Sequence, residues 1–189
     1  MCENIFFDTA RLKYRGQNVI IGKTVRIRYP ELVELHNNVI IDDFVFISTG
    51  LIMEDHTTIM SNCSLTGGVD HKIILKKYSS IASQCSVLTG SHDFSKSLHL
   101  THRNDVPQNF IRGDVVFEEH SILGCNSTVM PGITVGTGTR VGAQSFVNAD
   151  CSTWTLYGGS PARVIGTVDK NNVLDSLSNF KSIYEIQSQ

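Results

Sequence analysis

The sequence predicts a mainly β chain wound as a coil of stacked six-residue units. Three observations carry this. Apolar residues recur every six positions at Phe117, Leu123, Val129, Val135, Val141 and Val147, without a slip. Small or β-branched residues stand two positions before the next member, at Ser121, Ser127, Ile133, Thr139, Ser145 and Cys151. Glycines follow three of the apolar positions directly, at Gly124, Gly136 and Gly142. Helical faces repeat every 3.6 residues and strand faces every 2, so the period is neither. A fixed longer period marks stacked units, here one short strand plus one corner. Six is even, so equivalent residues face the same way. Large side chains then fill the axis, small ones fit where corners crowd it, and glycine tolerates the tight corner backbone.

Residues 1–18 read as an N-terminal arm or short helix, with Ile5, Phe6, Ala10 and Leu12 on one side. The coil is expected over 19–168. Its rhythm starts at Ile21 and Ile27, pauses over YPELVELHNN, and resumes at Ile41, Ile47, Met53 and Ile59, with Val45, Leu51, Thr57 and Cys63 in the small set. It pauses again at TGGVDH and restarts at Leu75, Ile81 and Val87, with Ser79, Cys85 and Ser91 as partners. Residues 92–112 form the longest insertion and carry His92, His99, His102 and Arg103. Insertions in a repeat become external loops and often carry function. Because the repeat returns in phase, this loop is expected to be ordered. After 152 the stretch WTLYGGSPARVIG reads as a turn and a last strand. Residues 169–189 read as a C-terminal helix, since Val173, Leu174, Leu177, Phe180, Ile183 and Tyr184 are spaced three and four apart behind a possible Asp169 cap. Repeat coils need covered ends, so this helix is expected to cap the coil or pack on a neighbouring subunit.

Charged residues make up 18% and the formal net charge is −2, which favours neither a nucleic acid nor a membrane surface as partner. The five cysteines include no C-x-x-C pair, and Cys63, Cys85 and Cys151 fall at the small inward position, where cysteine packs as a small hydrophobe. That usage fits a reducing compartment. With no basic start before an apolar run and no apolar stretch of about 20 residues, the expectation is a cytoplasmic protein without membrane insertion.

The units IGKTVR, LGCNST, VGTGTR and VGAQSF resemble the hexapeptide repeat of the left-handed β-helix acyltransferases. Two further stretches are similar to the sugar and xenobiotic acetyltransferases of that family, the group of the galactoside, maltose and colanic-acid enzymes. They are LTGSHD at 88–93, followed at once by the long loop, and VGAQSFV with GGSPARVIG at 141–166. The resemblance implies a triangular prism of three parallel sheets, a homotrimer with active sites between subunits, acetyl-CoA as donor, and a sugar or nucleotide-sugar as acceptor. The expected activity is acetyl transfer to a sugar hydroxyl or amine in bacterial surface-glycan synthesis (lipopolysaccharide, O-antigen or capsule). The alternative is N-acetylation of a nucleotide-linked amino sugar specifically.

Such transfer needs a base for the attacking group and stabilisation of the developing oxyanion. Histidine suits the first task. His92 ends the coil segment and begins the loop, and the resemblance places the catalytic histidine there. Asp93, Glu118 and Glu119 are candidates to orient it. On the family pattern Gly124 and Cys125 lie near the thioester, Gly142 and Ala143 line the pantetheine arm, and Arg163 meets a CoA phosphate. Asn148 and Ala149 stand where the family often has Thr-Lys, so a usual cationic contact is missing. Asn62, Asp70 and His71 are the acceptor-binding candidates, with a corner role for Asn62 equally open. Cys125 as a nucleophile is the lesser reading, because no covalent intermediate is required. A remoter alternative is a metal-dependent hydratase resembling the γ-class carbonic anhydrases, using His56 and His92 with a third histidine, although the expected position holds Ser97.

Overall fold

A computed structural model describes residues 4, 6–96 and 109–187. It is a left-handed parallel β-solenoid ending in the helix Lys170–Gln187. Ile40 pairs with Thr58 and Phe46 with Ser64, each eighteen residues on, so one turn is three six-residue units and the coil has three sides. From Ser64 to Ser86 the offset is twenty-two, and from Ser86 to Thr128 it is forty-two. The surplus residues are the two insertions, which leave the coil and re-enter in phase.

The six-residue series fills the axis. Phe117, Leu123, Val129 and Val135 are fully buried, with Val141 and Val147 close behind, and the small set from Ser121 to Cys151 lines the corners. Ser91 departs from that pattern. It pairs with Ile111 in an antiparallel ribbon that carries the chain out of the coil. Within the expected arm, Tyr14 and Arg15 already pair with Glu34 and Leu35. Asn4 ties the same segment down through its side-chain amide to the carbonyls of Gly22 and Val25, at 3.0 and 2.8 Å. Ile5 lies outside the described residues.

The corners take the left-handed backbone. Positive φ recurs at Phe44, Asn62, Gln84, Asn126 and Gln144 on a first corner and at Asn38, His56, Tyr78, His120 and Trp154 on a third. Asparagine is enriched at such angles because its side chain tolerates them. The second corner, between these two along each turn, is where both insertions leave.

On the third corner the aromatic residues stack. Tyr78 lies 5.2 Å from His56 and 5.1 Å from His120, and His120 lies 6.4 Å from Trp154, ring centre to ring centre. Gly138 is required here, since a Cβ would fall 2.3 Å from the Trp154 ring. The C-terminal helix runs back along this stack, with the Lys170 ammonium 5.7 Å from the Trp154 ring centre and Phe180 edge-on to His56 at 5.7 Å. It therefore covers a corner rather than the open end. The reason is the ribbon of Thr155–Gly158 against Arg163–Thr167, whose first strand continues the sheet beside Arg140–Val141 and whose antiparallel return reverses the chain. Among the described residues no helix is long and apolar enough to cross a membrane.

Candidate active site

One flat face of the prism organises the candidate residues. Its outward row runs Arg26, Phe46, Ser64, Ser86, Thr128 and Phe146, each paired with the next. The residues between them in sequence register, such as Ile47, Leu65 and Val87, point inward and are fully buried. The first corner borders this face on one side and the second corner on the other.

The second corner carries His92. Gly90–His92 pairs antiparallel with Phe110–Arg112, so the base of the insertion is an ordered ribbon. Residues 97–108, including His99, His102 and Arg103, lie outside the described residues. Close approach fixes the ribbon's base: Gly67 has φ +151, and a Cβ on it would sit 2.0 Å from Thr89 Oγ1. Beneath, the buried hydroxyls of Thr49 and Thr89 are 2.7 Å apart, and Thr49 Oγ1 donates to the His71 carbonyl at 2.9 Å. This polar pair ties the TGGVDH bulge to the segment that bears His92.

His92 is half-buried, with Nδ1 inside the protein, and its ring lies 4.5 Å from that of Phe110. The Arg112 guanidinium covers the same phenyl ring at 4.8 Å and pairs with Asp70 at 3.2 Å. Asp114 accepts from His71 Nδ1 at 3.1 Å and from the Lys72 backbone N–H at 3.0 Å. A carboxylate only accepts, so His71 carries its proton on Nδ1. The structure thus gathers Asp70, His71 and His92 on one edge. It adds Phe110, Arg112 and Asp114, which sequence reasoning missed. Arg112 and Asp114 find their partners some forty residues away, Phe110 packs on His92 eighteen residues back, and only their position at the loop's return marks them.

Asp93 continues the hairpin. Its Oδ1 accepts from the Ser95 hydroxyl at 2.6 Å and from the Ser95 backbone N–H at 3.0 Å. These bonds, the hydroxyl first, hold its pKa below the usual carboxylate value, with Lys96 adding a little. Glu118 and Glu119 do not share this edge. They precede His120 on the third corner, where the Glu119 carbonyl accepts from Gly138 N–H at 2.8 Å, so neither orients His92. His56 is also on the third corner, stacked on Tyr78 with Phe180 edge-on to it. Among the described residues no group of His, Cys, Asp or Glu is arranged to hold a metal ion; His99 and His102 lie outside them.

The first corner carries Asn62, Gly124, Cys125, Gly142 and Ala143. Asn62 is exposed at φ 61, a corner geometry it shares with Phe44, Gln84 and Gln144, and its backbone N–H donates to the Asp43 carbonyl at 3.2 Å. Gly124 is demanded by stacking, since a Cβ would meet Ala143 N at 2.6 Å. Cys125 is exposed, and its carbonyl accepts from Gln144 N–H at 2.8 Å. Asn148 and Ala149 are exposed where the last turn reaches the second corner. Arg163 is exposed on the closing ribbon and donates to the Ala162 carbonyl at 2.8 Å. Cys63 and Cys85 are buried and unbridged, and the hydrogen bond with the Cys85 thiol, then burial, pushes the Cys63 pKa up.

Comparisons agree with this architecture. No protein-family profile matches the chain. The dTDP-4-amino-4,6-dideoxy-D-glucose acyltransferase of Escherichia coli is 30% identical over 172 residues, covering 88% of this chain and 87% of that protein. AntD, an N-acyltransferase from Bacillus cereus solved with dTDP and 3-hydroxybutyryl-CoA, superposes with TM-score 0.87 at 28% identity, covering 96% of this chain and all of that one. AntD variants at one serine, and at an aspartate ten residues beyond it, have also been solved, two of the serine variants with dTDP-4-amino-4,6-dideoxyglucose and Coenzyme A. A maltose O-acetyltransferase from Clostridium difficile 630 shares the fold alone, with TM-score 0.56 and 18% identity over 85% of this chain and 72% of its own. The repeat, the prism and near full-length similarity together make this chain a member of the hexapeptide-repeat, left-handed β-helix acyltransferase family, a CoA-dependent acyltransferase.

Proposed function

We propose that the chain transfers an acetyl group from acetyl-CoA to the amino group of a nucleotide-linked amino sugar, for surface-glycan synthesis in the cytoplasm. The observation that carries this is the near full-length similarity to two enzymes described with a dTDP-linked 4-amino sugar. It favours the narrower amine reading over the broader expectation of a sugar hydroxyl or amine. In the reaction a C–N bond forms as the amine attacks the thioester carbonyl. The C–S bond breaks, the nitrogen loses a proton and the CoA sulfur gains one. No bond to the protein is needed, so Cys125 has no covalent role.

His92 is the proposed proton acceptor, held at the rigid base of the ribbon against Phe110. Ser83 and Asp93 stand ten residues apart, the spacing of the serine and aspartate varied in AntD, and we extend a role in acceptor handling to both. Asp93, held ionised by Ser95, offers a carboxylate to the acceptor's amine. Ser83 lies on the first corner, where its carbonyl accepts from Asn126 N–H at 3.0 Å, beside Cys125. Gly124, Cys125, Gly142 and Ala143 are proposed to line the donor path along that corner, with Asn148, Ala149 and Arg163 toward its nucleotide end. Asn62, Asp70 and His71 are proposed to contact the acceptor. Candidate residues divide between two edges of one face, which supports a homotrimer whose sites form between neighbouring subunits.

The test is thiol release from acetyl-CoA with dTDP-4-amino-4,6-dideoxyglucose beside simple hydroxyl sugars. Release with the amino sugar alone is expected. Release confined to hydroxyl sugars would overturn the proposal.

A further inference from the structure

Arg26 and Arg28 form a pair of neighbouring basic side chains on one face of the coil. Arg11, Lys13, Lys76, Lys77, Lys96 and Arg112 each pair with a carboxylate. Among the described residues neither Arg26 nor Arg28 has such a partner. Both are exposed, and they flank the inward Ile27, so they point out of the same face. Both are braced on one aromatic ring, with guanidinium carbons 5.7 and 5.8 Å from the centre of Phe46. A cation–π contact orients a guanidinium without neutralising it. Two adjacent uncompensated guanidinia held in this way match a ligand with two neighbouring anionic groups, because each planar fork can grip one phosphate.

The surroundings fit the rest of such a ligand. From Phe46 the face continues through Ser64, Thr66 and Ser86, small hydroxyl-bearing side chains, to Leu88 at the foot of the His92 ribbon. Arg28 donates its backbone N–H to the Ile47 carbonyl, which puts it in line with Ser48, Thr66 and Leu88. Three strand spacings separate it from Leu88, about 14 Å at the usual 4.8 Å between strands. An extended nucleotide-sugar bridges that gap with its diphosphate at the arginines and its sugar at the ribbon. CoA also carries a diphosphate, but its proposed path follows the glycine-bearing turns toward the other end of the coil.

We infer that Arg26 and Arg28, braced on Phe46, bind the diphosphate of the nucleotide-sugar acceptor, with the Ser64–Thr66–Ser86 lane leading its sugar to His92. The inference rests on the proposed acceptor. It is tested on the full chain by calorimetric titration with dTDP and, separately, with CoA, using wild type, Arg26→Gln, Arg28→Gln and the double variant. Each single change is expected to weaken dTDP binding about tenfold or more, since each removes a charge-assisted contact. CoA binding and the rate at saturating amino sugar are expected to stay near wild type, with only the KM for the amino sugar rising. Phe46→Leu, which keeps the bulk and loses the ring face, is expected to weaken dTDP by a smaller factor. Sedimentation and thermal melting accompany each variant. Unchanged dTDP affinity, weakened CoA binding, or loss of dTDP binding only together with dissociation or unfolding would each overturn the site. If wild type itself binds no dTDP, the proposed acceptor fails; if wild type binds and the arginine variants bind as well, only this site fails.

Discussion

His92 owes its position to the residues packed beneath and behind it. Gly67 lets Thr89 and Gly90 approach, Thr49 and Thr89 lock the bulge beneath, and Phe110 backs the ring. His92→Ala leaves these supports in place, so the expected change is in rate rather than stability. Removing a general base lowers kcat by about 10²–10⁴-fold. The check is steady-state thiol release with the amino sugar beside a melting curve; an unchanged kcat would remove His92 from the mechanism. At this scale the short string LTGSHD was legible as the foot of the insertion, where the proposed base His92 begins the ribbon, and the φ of Asn62 is one that an asparagine tolerates. Arg112 and Asp114 were not legible. Each finds its partner, Asp70 or His71, only when the second corner folds both insertions against each other.

The corners hold by carboxylates as well as by dihedral angles. Asp55 accepts from the Asn37 backbone N–H at 2.9 Å, and Asp43 accepts from the Thr24 hydroxyl at 2.6 Å and its N–H at 3.0 Å, each clamping the preceding turn. These bonds lower both carboxyl pKa values, through the Asn37 N–H foremost at Asp55 and the Thr24 hydroxyl foremost at Asp43. A depressed folded pKa gives stability that is complete above the unfolded value, about 3.9 for aspartate. It is lost as pH falls through the folded value. Asp55→Asn is therefore expected to flatten the acid limb of the melting temperature below about pH 4, checked by thermal scans from neutral to acid pH. An acid limb as steep as wild type would show the clamp to be idle. The C-terminal helix shows the limit of reading elements from sequence. Its period was plain, but its docking was not, because His56, Tyr78, His120 and Trp154 become a stack only after insertions of different length are taken out.

For the whole molecule, the six-residue period carried the architecture, since it sets both the strand length and the three-sided turn. The axis is one continuous core from Val25 to Val147 in which each turn buries the next. Phe117 is the largest fully buried side chain, at the point where the chain re-enters the coil beside Leu75. Phe117→Ala is expected to cost about 3–5 kcal/mol, read by denaturant unfolding. A loss below about 1 kcal/mol, typical of surface changes, would show that the axis is not a cooperative core. The face between the first and second corners was not legible from the period, because its outward residues are the ones that the repeat does not constrain. Arg26, Phe46, Ser64 and Ser86 become neighbours only through the eighteen-residue turn and its insertions. The proposed acyl transfer to a sugar nitrogen is tested by the NMR structure of the product made from acetyl-CoA and dTDP-4-amino-4,6-dideoxyglucose. The expected product carries an amide at the sugar's amino nitrogen, with one CoA thiol released for each amide formed. An acetyl ester on a sugar hydroxyl, or free acetate with the amine untouched, would contradict the proposal.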